Sequence, residues 1–452
     1  MDDDSRWYGC VRTGSGGHAF ALHDGARGSP VRDALRRLVA TIALDVGPLR
    51  RHRDFRLLFI GQLVTFLGSM VTFVALPYQA YQLTGSSLVV GALGIAEIAP
   101  LIVMALVGGA LADAHDRRRM VQLTELGFAV ASTGLFVNAT LDAPRVWALF
   151  ACSIAMATLD GLQRPSLEGL VPRLVERDEL AAAGALGSFR MTVGMVVGPV
   201  VGGILIAGAG LPVTYGLDVV TFLFSLAALR RMRAVPSPLD AAPPSFRRIV
   251  DGVRYARSRP DLMGTYIVDL MAMFFGMPMA LFPAIAEGFG GATALGLLYS
   301  ALSMGSLIAT LSSGWTRHVR RHGRAICLAA VGWGIAIVGF GFAGNLPLAL
   351  AFLAVAGGAD MISGLFRSVM WNSTVPDHLR GRLAGIEQIS YSAGPLLGNV
   401  ESGIAASLIG VRAAVVSGGV LCVVGVAVTA TTLPILWRYR AAPPEDPLEV
   451  VG

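Results

Sequence analysis

The sequence has no lysine, few acidic residues and only four cysteines among its 452 residues. Charged residues make up 15% of the chain and apolar residues 54%, whereas soluble domains carry about 25% charged residues. This composition excludes a soluble globular protein. Because a phosphate-binding loop of the Gly-rich type requires a lysine, the absence of lysine also argues against ATP-driven pumping by this chain.

Cysteine and histidine contribute little recognisable chemistry. Three cysteines lie inside apolar runs, and four are too few for a disulfide framework, so we expect them to be small buried hydrophobic residues. All seven histidines fall in the N-terminal segment or in predicted loops. His318 and His322 have a spacing that can bind a metal, but arginines surround them and no carboxylate is near, so we predict no metal site.

Long apolar stretches dominate the rest of the chain. A transmembrane helix needs about 20 predominantly apolar residues, and the loops between such stretches are rich in Arg, Gly, Pro or Asp. The sequence therefore predicts an all-α integral membrane protein with twelve transmembrane helices in two six-helix bundles. The predicted spans are 55–83, 86–112, 120–140, 145–168, 184–209, 212–232, 261–286, 292–314, 324–344, 347–371, 383–408 and 412–436.

The arginines determine the predicted orientation. All 36 basic residues are arginine, and only Arg145 and Arg412 lie in loops on the side opposite the others. Because cytoplasmic loops carry the excess of basic residues, both termini are predicted to be cytoplasmic. Positive charge spread over many short loops forms no continuous groove, so nucleic acid is excluded as a partner.

The loops also suggest domain boundaries. Residues 1–53 are predicted to be a mostly disordered cytoplasmic segment, in which residues 31–42 form either a short amphipathic helix or a frayed tail. The first bundle is predicted over 54–232, a Pro-rich cytoplasmic linker over 233–260, the second bundle over 261–437 and a cytoplasmic tail over 438–452.

Several motifs occur in order, and some recur in both halves, as expected for transporters built from repeats. They are Gly109-x-x-x-Asp113 with Arg117 and Arg118, Gly194-x-x-x-Gly198-Pro199-x-x-Gly202-Gly203, and Pro376-x-x-x-Arg380-Gly381-Arg382. Over about residues 50–437 the chain resembles the major facilitator superfamily. Phe55-Arg56-Leu-Leu-Phe, Leu83-Thr84-Gly85-Ser86 and Arg164-Pro165 more narrowly resemble the bacterial enterobactin-exporter and drug-proton antiporter group.

The resemblance implies roles for two of these motifs. Gly109, Asp113, Arg117 and Arg118 match a cytoplasmic gate that locks the second helix against the other half, although arginines in such a loop also serve as a topology signal. The glycine motif that includes Pro199 matches a segment associated with antiporters. Its alternative is close helix packing without a transport role.

Ionisable residues inside the predicted spans are candidates for a proton or substrate site, because charge at the bilayer centre is costly. Five residues form this candidate set: Glu97, Asp160, Arg164, Asp269 and Asp360. The resemblance implies that spans 1, 4, 7 and 10 line the cavity, which favours the three aspartates. Each acid has an alternative as a structural ion pair, and Asp160 has Arg164 four residues on.

Other polar residues complete the predicted site. Gln62, Tyr78 and Gln79 on the first span are candidate cavity residues. Arg164, Arg190 and Arg367 lie toward predicted cytoplasmic helix ends, where we expect snorkelling to the headgroups more than contact with an anionic substrate.

We therefore expect a cell-membrane transporter that exports a small organic molecule, a siderophore or a lipophilic drug, by proton antiport and alternating access. It would need no cofactor beyond the proton gradient, and its partners would be the substrate and the bilayer, with no obligate protein partner. The alternatives are an importer or uniporter on the same fold. An enzyme is disfavoured because no span carries a catalytic motif, and a sensor because neither terminus is large.

Overall fold

The computed structural model describes residues 44–233, 259–375 and 394–440. Within these ranges the chain is helical, with no β-strand. The predicted amphipathic helix over 31–42, the 376–382 motif and nearly all of the predicted linker lie outside the described residues.

Most helices are long enough to cross a bilayer. Their bounds are α1 Arg53–Thr84, α2 Ser87–Ala114, α3 Arg117–Thr140, α4 Val146–Leu174, α5 and α6 within Leu180–Arg230, α7 Pro260–Phe275, α8 Ala292–Leu311, α9 His322–Gly341, α10 Leu346–Thr374, α11 residues 394–409 and α12 Val411–Thr432. Short helices occur at Gly47–Arg51, Phe282–Glu287 and Pro434–Arg438. We refer to residues 53–230 as the N-terminal half and to residues 260–432 as the C-terminal half.

Short connections make successive helices antiparallel. Gly85, with φ of 63°, ends α1 in the left-handed conformation that glycine adopts without steric cost. Asp116 begins α3 as its N-cap, because its side chain accepts hydrogen bonds from the backbone N–H groups of Arg118 and Arg119. A break at Gly210 (φ 83°) divides Leu180–Arg230 into α5, residues 180–209, and α6, residues 211–230.

The predicted seventh span is wrong as a continuous helix. It was expected over 261–286, but α7 ends at Phe275 and the chain resumes as a 3₁₀ turn at Met279–Leu281 before Phe282–Glu287. Pro278 lacks a backbone N–H and disfavours helix in the residue before it. The Gly276 carbonyl at the break accepts a hydrogen bond from the Trp333 indole N–H at 3.0 Å.

Two helix ends also differ from expectation. The eighth span was predicted to reach residue 314, but α8 ends at Leu311 and a 3₁₀ segment follows at Ser313–His318. The twelfth was predicted to reach residue 436, but α12 ends at Thr432, two residues before Pro434 begins a short helix. Proline is tolerated in the first turn of a helix, where its missing N–H is not needed.

Ten segments of the described residues are long and apolar enough to span a membrane. One of them contains both α5 and α6, and α11 begins at the edge of the described residues. Twelve spans and cytoplasmic termini therefore stay predictions. Large apolar side chains are exposed on the outer faces of the helices, as a lipid environment requires, for example Val130, Ile204 and Leu328.

Candidate functional site in a cavity between the two halves

A cavity of about 600 Å³ lies mainly within the N-terminal half and reaches the C-terminal half. Its volume is within the range of about 300–1,000 Å³ found for small-molecule sites. Four acidic residues and one arginine line it: Glu97, Glu125, Asp160, Asp218 and Arg164. Its aromatic lining consists of Phe66, Phe73, Phe128, Phe222 and Tyr299. The C-terminal half contributes Met279, Ala280, Tyr299, Pro395, Leu396 and Asn399.

Glycines bring α5 and α8 together at one end of the cavity. A Cβ at Gly203 would lie 2.5 Å from the Ala292 carbonyl oxygen, and one at Gly296 would overlap the Pro199 carbonyl. The Ser300 hydroxyl donates to the Val196 carbonyl at 2.6 Å. These contacts exclude any larger side chain at Gly203 and Gly296 without separation of the two helices. We call this contact the α5–α8 seam.

A second seam joins α2 to α11. A Cβ at Gly91 would lie 2.5 Å from the Asn399 carbonyl oxygen, and one at Gly403 would lie 2.8 Å from the Ser87 carbonyl oxygen. Both seams lie near the helix ends predicted to face outward. The described contacts between the halves thus concentrate at the predicted outer end of the cavity.

Other glycines of the predicted antiporter-like motif face α1. A Cβ at Gly194 would overlap Phe66, one at Gly198 would overlap Met70, and one at Gly202 would lie 3.2 Å from the Val71 Cα. The motif therefore has two contact faces. Gly194, Gly198 and Gly202 pack within the N-terminal half, whereas Gly203 and the Pro199 carbonyl meet the C-terminal half.

Glu125 is held on the cavity wall by side-chain amides. It is 1% exposed, and its Oε1 accepts hydrogen bonds from Gln62 Nε2 at 2.7 Å and Gln163 Nε2 at 3.2 Å. Its Oε2 has no hydrogen-bond partner among the described residues. Arg190 is linked to Glu125 through Gln62, since Arg190 Nη1 donates a hydrogen bond to Gln62 Oε1 at 3.3 Å.

Asp218 is the second buried acid on this wall, also 1% exposed. Its Oδ2 accepts hydrogen bonds from the Thr72 hydroxyl at 2.7 Å and the Ser132 hydroxyl at 2.8 Å. These donors lie on α1 and α3, so Asp218 links three helices of the N-terminal half. Thr72, the α1 partner of Asp218, lies farther along α1 than Gln62, the α1 partner of Glu125. At about 1.5 Å per residue, Asp218 therefore lies closer than Glu125 to the predicted outer end.

The predicted site residues Glu97, Asp160 and Arg164 all line the cavity. Glu97 accepts a short hydrogen bond from the Ser153 hydroxyl. Asp160 Oδ2 lies 3.5 Å from Arg164 Nη2, and both side chains are partly exposed. Arg164 therefore pairs with Asp160 on the cavity wall instead of only extending to the headgroups.

Asp269 and Asp360 lie outside the lining of this cavity. Both approach Arg367, which is 8% exposed. Arg367 Nη1 forms an ion pair with Asp269, and its Nη2 lies 4.0 Å from Asp360. The expectation that Arg367 snorkels is wrong, because its guanidinium points inward to compensate two acids. Arg190 also turns inward, lying 5.8 Å from the Phe66 ring centroid.

The three candidate cavity residues of α1 have different surroundings. Gln62 lines the cavity, as expected. Gln79 is buried and accepts a hydrogen bond from the Tyr215 hydroxyl at 2.9 Å. Tyr78 is half-buried and packs against the apolar core. Gln79 and Tyr78 are not among the residues that line this cavity.

The arginines of the predicted cytoplasmic gate contact their own half in this conformation. Arg118 Nε donates to the Leu229 carbonyl at 2.9 Å, and its Nη2 donates to the Arg230 carbonyl at 3.1 Å. The Arg117 guanidinium lies against Gly169 of α4. Arg118 thereby satisfies carbonyls at the C-terminal end of α6. The structure describes neither the surroundings of Gly109 nor the side chain of Asp113, so the gate stays a prediction.

Glu125 and Asp218 were missing from the predicted site set. Glu125 lies early in α3 and Asp218 lies in α6, two spans that the resemblance does not place at the cavity. The pattern that could have found them is the set of uncharged polar residues at the same depth on neighbouring spans, such as Gln62, Gln163 and Thr72.

Among the described residues no group of three metal-ligating side chains occurs.

The chain matches the profile of the transmembrane secretion effector family over residues 44–444. It belongs to this family, which lies within the major facilitator superfamily. The chain is thus a multi-pass transporter of the cell membrane.

Characterised relatives extend the comparison. The enterobactin exporter EntS of Shigella boydii serotype 4 (strain Sb227) is 28% identical over 404 residues, which cover 89% of this chain and 97% of the exporter. EntS of Escherichia coli O139:H28 (strain E24377A / ETEC) matches with the same identity and coverage.

Solved transporters share the fold. The nucleoside transporter NupG superposes with a TM-score of 0.67 at 14% identity, covering 85% of this chain and 99% of NupG. A bacterial homologue of the human lysosomal transporter Spinster, in an inward-facing and unoccupied conformation, gives a TM-score of 0.67 at 15% identity and covers 86% of this chain and 98% of the homologue.

Proposed function

We propose that this protein exports a small aromatic organic molecule, a siderophore or a lipophilic drug, by proton antiport. The observation that carries this proposal is the cavity itself. It is large enough for a drug-sized molecule, residues from both halves line it, and glycine seams close its predicted outer end. Such a site is accessible from one side at a time when the halves rock about it.

The lining favours an aromatic cargo. The rings of Phe66, Phe73 and Tyr299 offer stacking surfaces, and Phe73 and Tyr299 already meet edge to face with centroids 5.1 Å apart. Acidic side chains beside them would accept hydrogen bonds from phenolic hydroxyls or attract a cationic ring system. The relatives named as enterobactin exporters support the siderophore, a molecule rich in such hydroxyls.

Proton coupling is supported by the kind of charge in the cavity. Four carboxyls line it beside one arginine, and carboxyls at membrane depth mark proton relays in transporters. The relatives and solved structures that this chain matches are transporters, which favours transport over an enzymatic reaction. No obligate protein partner is needed for this mechanism.

The proposal is tested with the full chain in proteoliposomes. Uptake of ethidium, a fluorescent lipophilic cation, and of enterobactin is followed with and without an imposed pH gradient, and entrapped pyranine reports proton movement. We expect cargo to move against its gradient when a proton gradient of opposite direction is imposed. Protein-free liposomes are the control.

Three results would contradict the proposal in different ways. Cargo movement that ignores the pH gradient would reject antiport and leave a uniporter on this fold. Cargo that moves in the same direction as the protons would identify an importer. Failure to move either probe would reject the proposed cargo classes.

A further inference from the structure

We infer that Glu125 is the carboxyl that binds and releases the counter-transported proton. This inference rests on the proposed antiport and assigns it to a residue outside the predicted set. Glu125 lies on α3, which was not expected to contribute a site residue. Its assignment depends on burial, on its hydrogen bonds and on its neighbours.

Glu125 is buried, lines the cavity and has two unlike oxygens. Oε1 accepts two amide N–H groups, whereas Oε2 has no hydrogen-bond partner among the described residues. A buried oxygen without a partner is costly, more so when it carries charge. Addition of a proton to Oε2 removes the charge and turns this acceptor into a donor.

Ser225 provides a partner for either state of the carboxyl. Its hydroxyl adjoins Glu125 and is also buried without a hydrogen-bond partner in the described part of the chain. A serine hydroxyl both donates and accepts. By rotation of this hydroxyl, Ser225 can donate to the ionised carboxyl or accept from the protonated one.

The charged groups around Glu125 are few. In the described part of the chain Arg190 from α5 forms no ion pair with the carboxyl and is linked to it through Gln62, and Asp218 from α6 contributes repulsion. The amides that contact Oε1 come from α1 and α4, and Ser225 comes from α6. A direct ion pair would hold the carboxyl ionised, whereas this indirect link leaves protonation and ionisation both accessible.

The transport step is a simple proton transfer. A proton from the outer solution adds to Oε2 and forms an O–H bond when the cavity faces outward. When the cavity faces the cytoplasm, that O–H bond breaks, the proton passes to water, and the carboxylate is restored with its electron pair. Cargo then occupies the cavity for the return step.

Glu125→Gln tests the assignment, because it keeps the size and the Oε1 acceptor but cannot titrate. Glu401→Gln is the matched control, since Glu401 lies on α11 within a membrane helix and does not line the cavity. In proteoliposomes, Glu125→Gln should keep exchange of ethidium or enterobactin without a gradient but lose gradient-driven uptake and pyranine-detected proton flux. Glu401→Gln should keep all three.

A second measurement needs no cargo. Infrared difference spectra of the purified full chain in lipid, taken between alkaline and acidic pH, detect the C=O band of a protonated carboxyl. We expect Glu125→Gln to remove one such band and Glu401→Gln to preserve it. An unchanged spectrum, or gradient-driven uptake by Glu125→Gln, overturns the assignment. Wild-type uptake that ignores the gradient instead overturns the proposed antiport.

Discussion

Individual carboxyls are stabilised differently in the two halves. In the N-terminal half, Glu125 and Asp218 accept hydrogen bonds from neutral amides and hydroxyls. In the C-terminal half, Asp269 pairs directly with the buried cation Arg367. Neutral donors favour the ionised form less strongly than a buried cation does, so they leave protonation more accessible. We therefore assign titration to the N-terminal half and a structural role to the Arg367 pair.

The structural role of Arg367 leads to a stability prediction. Arg367→Met leaves Asp269 as a buried carboxylate without its cation and should lower stability by about 3–5 kcal/mol, as for other broken buried pairs. Thermal unfolding in detergent, followed by circular dichroism, should show a clearly lower apparent Tm.

The double variant Arg367→Met, Asp269→Asn is the control for this prediction. It removes Asp269, the nearer of the two acids that the single variant leaves without their cation, so its Tm should recover toward the wild-type value. Equal Tm values for the wild type and Arg367→Met would show that this ion pair does not stabilise the fold.

The sequence predicts where acids lie along a helix better than which way they point. Glu97 and Asp160, both predicted to lie inside the spans, line the cavity. Asp269 and Asp360 were also predicted to lie inside the spans, but they turn toward Arg367, because a buried cation on α10 attracts both. That choice depends on packing between helices, which the order of residues along one span does not specify.

At the scale of helices, the glycine seams define this conformation. Gly203 and Gly296 allow α5 and α8 to touch through their backbones, and Gly91 and Gly403 do the same for α2 and α11. Close backbone approach through small residues is a common means of helix association in membranes. Because each seam lies near one end of its helices, it can open while the rest of each half keeps its packing.

Gly203→Val should open the α5–α8 seam. Its Cβ would lie 2.5 Å from the Ala292 carbonyl oxygen and 3.1 Å from the Gly296 Cα, so the two helices must separate. Spin labels at the outer ends of α5 and α8 should report a longer distance by pulsed electron paramagnetic resonance. Transport should be strongly reduced.

Gly184→Val is the matched control on the same helix. A Cβ at Gly184 would have no atom within 4 Å, so the substitution should change neither the distance nor the transport rate. If Gly203→Val also left the label distance unchanged, the α5–α8 seam would not be the closed contact of this conformation.

Hydropathy predicts most helices to within a few residues because the bilayer requires long apolar segments. The break after α7 was missed for the same reason, since the residues around Gly276 and Pro278 are as apolar as the helix they interrupt. The interruption is supported by tertiary contact, the Trp333 indole donating to the Gly276 carbonyl. Hydropathy alone does not predict this hydrogen bond.

For the whole molecule, the cavity is asymmetric although the motifs repeat in both halves. Helices α1, α2, α3, α4 and α6 supply most of its lining, and the C-terminal half adds a smaller apolar surface with Tyr299 and Asn399. The N-terminal half therefore carries the chemistry of the described cavity. The C-terminal half closes it through the two seams.

The direction of export depends on the orientation of the whole chain in the membrane. The arginine distribution predicts that the 141–145 loop faces outward and the 175–179 connection faces the cytoplasm. Asp142 and Asp178 are exposed in these two connections and form a matched pair. In a background without the four native cysteines, Asp142→Cys should react with a membrane-impermeant maleimide in intact spheroplasts.

Asp178→Cys should react only after the membrane is opened, because the same reagent cannot reach a cytoplasmic thiol. The two variants carry the same substitution in exposed loops, so a difference in labelling reports the side of the membrane and not thiol reactivity. The reverse labelling pattern would show that the topology is the opposite of the predicted one. The glycine seams would then close the cytoplasmic end of the cavity, and the conformation described here would face outward.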